Sequence, residues 1–419
     1  MSGKSIWQNR IFVRLFSAYT ISIIGEFMDF FAISVIVAYH WKTSPLLIGL
    51  IPVAFALPGI LFSSWAGVFA DRKDKRRILI AVDLLVALLT IGIVFVPNIY
   101  ILYPAILIRA TCSVFFMPAQ IALTRRVVSD EQLVQATSLN GMVGEIGKII
   151  GPLIGGALIT ILPPQGLLII KAGMSLLAAF ILFSIGKIKE DAIEDLKSEE
   201  KKQSFWQSWK EGWNIVLFSR LLFVTILYGF LVMTVIQLIE SQFSVLFREL
   251  FPQDPGLMGW TIATIGAGGV VITLWMQKMQ HLRYGWALGG GITFMGIGIM
   301  GVAMILSSPS IILVLLSAFV VGIGVGIFFV SYNVILQKES APEVVGRVFG
   351  IQNSLVRLSY IVSPLLGGSL VQWIGVVKVY FFVGVLLFAI GCLAIGLRNI
   401  IWNQSDKPIV SHQKNIANK

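Results

Sequence analysis

Hydrophobic residues occur in twelve long runs along this chain, separated by shorter polar segments. A helix needs ~20 apolar residues to cross the hydrocarbon core of a bilayer, and each run is at least that long. The runs occupy residues 11–39, 46–70, 77–97, 99–123, 139–162, 165–186, 221–247, 257–277, 285–306, 309–336, 348–374 and 378–400. The pattern predicts an all-α integral membrane protein with twelve transmembrane helices.

One connection between runs is longer and more charged than the others. Residues 187–213 read KIKEDAIEDLKSEEKKQSFWQSWKEGW and end in a cluster of tryptophans. Such a stretch is typical of a cytoplasmic linker that ends in a helix lying in the membrane interface. It divides the twelve runs into two sets of six. We therefore predict a six-helix bundle over 1–186, a linker over 187–213, a second bundle over 214–402 and a cytoplasmic tail over 403–419.

Basic residues are concentrated in alternate loops. The connections after runs two, four, six, eight and ten contain Arg72, Lys73, Lys75, Arg76, Arg77, Arg125, Arg126, Lys187, Lys189, Lys201, Lys202, Lys278, Arg283, Lys338 and Arg347. The other loops offer little beyond Lys42, Arg248 and Lys378. Because basic loops stay on the cytoplasmic side, both termini are predicted to face the cytoplasm. This distribution explains the net charge of +11 without a nucleic-acid partner.

Composition excludes several other classes of protein. Hydrophobic residues make up 57% of the 419 positions and charged residues 13%, whereas soluble domains have about 45–50% and ~25%. Cys112 and Cys392 lie inside apolar runs, so no disulfide framework or metal cluster is indicated. The GxGxxG pattern at residues 296–301 also lies inside a run and is not preceded by a strand, which argues against a nucleotide site. We expect no cofactor, no metal and no enzymatic activity.

An internal repeat supports two related halves. A shift of 212 positions places Pro152, Leu153, Gly155, Gly156 and Leu158 on Pro364, Leu365, Gly367, Gly368 and Leu370. Repeated halves that enclose a site between them are a common construction for transporters.

Two motifs stand out. The fifth run contains Gly147, Gly151, Pro152, Gly155 and Gly156 in the pattern GxxxGPxxGG. Small residues four apart allow two helices to approach closely in lipid, and the proline builds in a bend. A packing helix of any membrane protein is the alternative.

The second motif, GVFADRKDKRR over 67–77, follows the second run. Gly67 is expected to permit tight packing, Asp71 to accept hydrogen bonds from a neighbouring helix end, and Arg72 and Arg76 to hold the loop in the cytoplasm. A plain basic turn is the alternative.

Together these features resemble the Major Facilitator Superfamily. The two motifs are similar to its antiporter motif and its signature loop, which acts in relatives as a latch between two halves. Arg109 in run four and the residues Phe116-Met117-Pro118-Ala119 and Tyr360-Ile361-Val362-Ser363-Pro364 resemble drug:proton antiporters, closest to the macrolide-efflux group. The resemblance implies two pseudo-symmetric six-helix bundles and a central cavity lined by the first and fourth helices of each half. Asp74 departs from the family, which usually has glycine there.

Charged residues inside the runs are candidates for function, because a charge is expensive in lipid. Glu26 and Asp29 lie on one face of run one, and Arg109 lies at a similar depth. We expect the two acids to exchange a proton with Arg109 as counter-charge; an ion pair that only orders the bundle is the alternative. Asp83 is expected to pair with the signature loop as part of the gate, whereas Lys171 has no assigned role.

Glu145 and Arg357 occupy matching positions in the two halves. The spacing of Glu145 and Lys148 favours the first of two alternatives, a local pair on one helix face. The second is a bond of Glu145 with Arg357 across the halves at the cytoplasmic side, as part of the gate.

A substrate cavity is predicted from apolar and polarizable side chains on the expected cavity helices, which suit varied amphipathic ligands. The candidates are Phe27, Phe116, Met117, Tyr228, Glu240, Phe328, Tyr332 and Asn333. Any single one of the apolar residues could face lipid instead. The expected function is proton-coupled export of drug-like compounds by a monomer in the plasma membrane. Export of an endogenous metabolite, siderophore or lysolipid is the alternative.

Overall fold

The structure is a computed structural model. It describes residues 5–186, 213–214, 216–279, 283–305, 310–340 and 344–402, without the side chains at 64 and 71. The predicted cytoplasmic linker and its interfacial helix over 187–213, apart from residue 213, lie outside the described residues. The tail over 403–419 and the side chain of Asp71 also lie outside them.

Every long element in the described part is a helix. In chain order these are α1 Arg10–Val35, α2 Pro45–Arg72, α3 Lys75–Val94, α4 Ile99–Ser113, α5 Phe116–Val127, α6 Asp130–Leu158, α7 Pro164–Phe183, α8 Arg220–Glu240, α9 Phe243–Leu250, α10 Gly256–Met276, α11 Tyr284–Met304, α12 Ile311–Glu339, α13 Val345–Ile374, α14 Val376–Gly396 and α15 Arg398–Ile401. A π-helical turn, Ile36–His40, extends α1. Among these residues, twelve helical spans are long and apolar enough to cross a membrane, as predicted.

Polar caps explain where several helices begin. The Asn9 side chain accepts hydrogen bonds from Ile11 N and Phe12 N at the start of α1. The Asp74 side chain does the same for Arg76 N and Arg77 N at the start of α3. An N-cap of this kind satisfies backbone donors that the first turn leaves free. The Asp74 carboxylate therefore stabilises the first turn of α3.

Two predicted boundaries are wrong, and one predicted span contains a break. The fourth span, Ile99–Val127, is broken after Ser113, because Pro118 cannot donate a hydrogen bond to the Val114 carbonyl one turn earlier. The fifth span begins at Asp130, since a polar but helical segment precedes the apolar run. The seventh span ends at Glu240, and the residues up to 247 belong to the separate helix α9.

The chain forms two compact units. The first comprises Met1–Glu190 and Ser241–Ala263, and the second comprises Asp191–Glu240 and Thr264–Lys419. Within the first unit α1 packs against α6 and α7, and α3 packs against α7. Within the second unit α11 packs against α12 and α14, and α13 packs against α8. The equivalent pairs α1–α6 and α8–α13 agree with the internal repeat.

The segment Ser241–Ala263 is tied to the end of α1 and the start of α2. Gln242 Nε2 donates to the Pro45 carbonyl at 3.0 Å. Arg248 Nη1 donates to the carbonyls of Ala38 and Thr43 at 2.9 and 3.2 Å. These hydrogen bonds satisfy carbonyls at the end of the π-helical turn and in the loop that follows, so α9 is an integral part of the first unit.

Candidate functional site

A buried ion pair lies inside the first unit, between α1 and α4. Arg109 Nη1 and Nη2 donate to the two carboxylate oxygens of Asp29 at 2.9 and 2.6 Å. Both side chains are almost fully buried. Thr90 on α3 accepts a third hydrogen bond from Arg109 at 3.1 Å, and the guanidinium carbon lies 5.5 Å from the Phe55 ring centroid. The two-point geometry and the added contacts offset the cost of removing both charges from water.

Polar contacts continue along α1 around Ser22. The Ser22 hydroxyl donates to Asp83 Oδ1 on α3 at 3.1 Å. The Ser22 carbonyl accepts a hydrogen bond from Lys171 Nζ on α7 at 3.2 Å. Ser22, Asp83 and Lys171 are all buried. Asp83 therefore contacts α1, and its expected contact with the signature loop is not found among the described residues.

Glu26 lies between these two groups on the same face of α1. Its spacing of four residues from Ser22 and three from Asp29 places all three side chains on one side of the helix. Unlike the other two, Glu26 is exposed. It is within electrostatic range of Lys171, Arg109 and Asp29. The first unit thus combines one accessible carboxyl group with buried charges.

The structure brings together residues that the sequence had only placed at similar depths. Arg109 binds Asp29 directly, while Glu26 remains unbound to it in the described geometry. Lys171, to which the sequence assigned no role, belongs to the same polar group. Its position inside an apolar run required a partner, but the identity of that partner depends on how α7 packs against α1.

The GxxxGPxxGG motif provides close packing on two sides of α6. A Cβ at Gly147 would lie 2.8 Å from Ile23 Cγ2, one at Gly151 would lie 2.6 Å from Phe27 Cβ, and one at Gly155 would lie 2.7 Å from the Phe31 ring. These three glycines therefore hold α1 against α6.

The opposite side of the motif meets the beginning of α10. A Cβ at Gly156 would lie 2.8 Å from Gly259 Cα. A Cβ at Gly259 would overlap the carbonyl oxygen of Pro152. The motif therefore permits two helices to approach α6 without intervening side chains.

The signature loop is attached to the end of α7. Arg76 donates to the carbonyls of Leu182 and Phe183 at 2.9 and 2.7 Å, where a positive charge is favourable at a helix C-terminus. Arg72 is exposed. The tight packing expected at Gly67 is not found, because a Cβ there would meet no described atom within 4 Å.

Two other predicted gate residues are exposed. Glu145 accepts a hydrogen bond from Lys148 at 2.8 Å on the surface of α6, which is the local alternative. Arg357 is exposed on α13 in the second unit. A bond between Glu145 and Arg357 stays a prediction.

The predicted cavity residues differ in accessibility. In the first unit Phe27 packs on the glycines of α6, Phe116 stacks on Tyr19 with ring centroids 6.2 Å apart, and Met117 is exposed.

In the second unit Phe328 and Tyr332 are buried and stack on each other with centroids 5.6 Å apart. They pack inside this unit and do not line an open surface. Tyr228 is half-buried beside Phe328, Glu240 is exposed, and Asn333 donates to the Phe329 carbonyl of its own helix at 2.9 Å.

Comparison with known proteins relates this geometry to a family. A family model described as Major Facilitator Superfamily matches residues 15–364. The chain is 29% identical over 392 residues to the uncharacterized MFS-type transporter YfiS of Bacillus subtilis, covering 91% of each protein. It is 24% identical over 350 residues to macrolide efflux protein A of Streptococcus pyogenes, covering 81% of this chain and 83% of that protein.

A solved structure shares the fold. The crystal structure of a bacterial homolog to the human lysosomal transporter Spinster aligns with a TM-score of 0.74 at 13% identity, covering 97% of this chain and 100% of that one. Both the predicted fold and the predicted family are therefore confirmed, and the protein is a multi-pass membrane transporter of small molecules. The match over most of its length shows that this chain belongs to the Major Facilitator Superfamily.

Proposed function

We propose that this transporter exports amphipathic drug-like compounds, such as macrolides, from the cytoplasm in exchange for protons. The observation that carries the proposal is the buried two-point pair of Asp29 and Arg109, with Glu26 exposed on the same face of α1. Similarity to macrolide efflux protein A supports the class of substrate.

Proton coupling follows from the difference in accessibility of the two acids. Glu26 is exposed on α1, and in this proposal it faces water and exchanges a proton with it. Asp29 is buried and holds Arg109, so adding a proton to Asp29 removes the charge that binds the guanidinium. Arg109 must then find another acceptor, and the contact between α1 and α4 changes. Proton arrival is thereby linked to a rearrangement of helices within the first unit.

Alternating access would convert this rearrangement into transport. In this proposal the cavity contacts with an apolar substrate come from Phe27, Phe116, Met117 and Tyr228, and Glu240 meets a cationic group when the substrate has one. Phe328 and Tyr332 would pack behind the residues that line the cavity, and Asn333 would provide a polar contact to the substrate. Adaptable apolar surfaces with few polar anchors suit ligands of varied shape.

The arrangement in the membrane follows from the loops. Because the basic connections are those after even-numbered spans, we propose that both termini are cytoplasmic and that the protein acts as a monomer in the plasma membrane. The signature loop, Glu145 and Arg357 would form the cytoplasmic gate.

A susceptibility panel tests the function. The full-length protein is expressed in a pump-deficient bacterium, which is exposed to macrolides, tetracyclines, dyes and quaternary amines with and without an uncoupler. We expect increased resistance to at least one hydrophobic compound, and we expect the uncoupler to remove it. Resistance that survives collapse of the proton gradient would contradict proton exchange. Unchanged susceptibility to every compound would contradict drug export and favour an endogenous metabolite.

A further inference from the structure

Ser22 binds two buried charged residues with two different atoms. Its hydroxyl donates to Asp83 and its carbonyl accepts from Lys171. Asp83 and Lys171 are 3% and 5% exposed, so neither charge is hydrated from outside. No ion pair of Lys171 within 4.0 Å is found among the described residues. The acid and the amine are therefore connected through Ser22 and not by direct contact.

The carboxyl group of Asp83 is incompletely satisfied. Its Oδ1 accepts the Ser22 hydrogen bond, whereas its Oδ2 is buried and has no hydrogen-bond partner among the described residues. An ionised carboxylate with one unpaired oxygen is costly in a dry interior, and the neutral acid costs much less. Asp29 differs, because both of its oxygens are paired with Arg109.

The charges in this group do not balance when all are ionised. Three acids, Glu26, Asp29 and Asp83, face two bases, Arg109 and Lys171. Arg109 is bound to Asp29, which leaves Lys171 alone to balance Glu26 and Asp83. One proton on either of these two acids makes the group neutral. The group therefore binds one proton, on Glu26 or Asp83, in addition to any proton exchanged by the pair of Asp29 and Arg109.

Charged groups from three other helices surround Lys171 on α7. They are Glu26 and Asp29 from α1, Asp83 from α3 and Arg109 from α4. Lys171 is the charged group that acts on Asp83. The arginines of α5, Arg125 and Arg126, are exposed. On α3 itself Thr90 lies two turns beyond Asp83 on the same face and accepts a hydrogen bond from Arg109. Asp83 and the residue that binds Arg109 thus lie on the same face of α3, two turns apart.

We propose that Asp83 is a further proton-binding residue of the transport cycle, with Lys171 as its counter-charge and Ser22 as the ligand that joins them. The inference rests on the proposed proton exchange and adds a site to it. In the balanced step, a hydronium ion gives its proton to the Asp83 carboxylate when water reaches the group during the transport cycle. An O–H bond forms on Asp83 and one breaks on the hydronium ion, which becomes water.

Infrared spectroscopy tests the titration of Asp83 without any substrate. Difference spectra of the purified full-length protein are recorded as the pH is raised, and the band of protonated carboxyl groups is followed. We expect Asp83→Asn to remove one component of this band and Glu131→Gln, a change at an exposed acid, to leave this component unchanged. An Asp83→Asn spectrum identical to that of the wild type overturns the proposal.

A milder variant guards against misfolding of Asp83→Asn. Ser22→Ala removes one donor that stabilises the ionised Asp83, so the midpoint of the same component should move upward by about 0.5–1 pH units. Asp29→Asn should leave this component in place. A midpoint that is unaffected by Ser22→Ala also overturns the proposal.

Transport measurements then relate Asp83 to coupling. The proteins are reconstituted in proteoliposomes with ethidium as the probe. Under an imposed pH gradient, the rate of ethidium transport by Asp83→Asn should be at least tenfold below that of the wild type. Without a gradient, the variant should retain exchange of ethidium across the membrane. Equal gradient-driven transport by variant and wild type overturns the inference and leaves the proposed function intact. If the wild-type protein exchanges ethidium but a pH gradient does not increase its transport, the proposed proton exchange is contradicted. This inference is then contradicted as well.

Discussion

Arg109→Met is expected to destabilise the protein by about 3–5 kcal/mol, because it leaves the carboxylate of Asp29 buried without its partner. Asp29 is only 2% exposed, and its two oxygens both accept from Arg109. Combining Arg109→Met with Asp29→Asn should recover a large part of this loss, since the double variant no longer holds an unpaired charge. Unfolding of the purified proteins in mixed detergent micelles with increasing dodecyl sulfate measures the difference.

An exposed pair on α6 provides the control for Arg109. Lys148 and Glu145 are joined at a similar distance of 2.8 Å, but their side chains are 55% and 75% exposed. Lys148→Met should therefore cost less than about 1 kcal/mol. Similar unfolding curves for Lys148→Met and Arg109→Met would show that the pair of Asp29 and Arg109 does not hold the bundle together.

Gly151→Ala is expected to destabilise the first unit by about 1–3 kcal/mol through overpacking. The added Cβ would lie 2.6 Å from Phe27 Cβ and 2.9 Å from Met28 N. The second of these is a backbone atom, so no side-chain rotation relieves the contact and α1 must move away from α6. The unfolding midpoint in the same micelles should fall, and gradient-driven transport should fall with it.

Gly144 is the matched control for Gly151. It lies on the same helix, and a Cβ there would meet no described atom within 4 Å. Gly144→Ala should be neutral or stabilise the helix by up to about 1 kcal/mol, because alanine has the higher helix propensity. If both alanine variants unfold at the same detergent composition, close contact between α1 and α6 is not a source of stability.

The number of spans could be predicted from the sequence because lipid imposes a simple rule on length and hydrophobicity. The ends of the spans were less predictable because local chemistry decides them. Pro118 signalled the interruption between α4 and α5, and Asp130 with Glu131 signalled the early start of α6. Counting apolar residues ignores both signals. The end of α8 at Glu240 follows from the packing of α9 in the first unit, which no local pattern shows.

The candidate site was predictable in its residue types and depth but not in its pairing. Glu26 and Asp29 are equivalent by sequence, and the rotation of α1 decides that Asp29 is the one that binds Arg109. The connection of Lys171 to Asp83 through Ser22 requires α7 and α3 to meet the same turn of α1. The burial of Phe328 and Tyr332 likewise depends on how α12 packs. An aromatic residue in an apolar run has the same sequence pattern whether it faces lipid, a cavity or the protein core.

Transport by purified full-length protein in proteoliposomes tests the central claim that acids of α1 couple proton entry to substrate export. Ethidium movement is recorded under an imposed pH gradient and, separately, as exchange without a gradient, for the wild type, Glu26→Gln and Asp29→Asn. Both variants should lose gradient-driven transport by at least tenfold, and Glu26→Gln should retain exchange. Transport at the wild-type rate by both variants under the gradient would contradict the account.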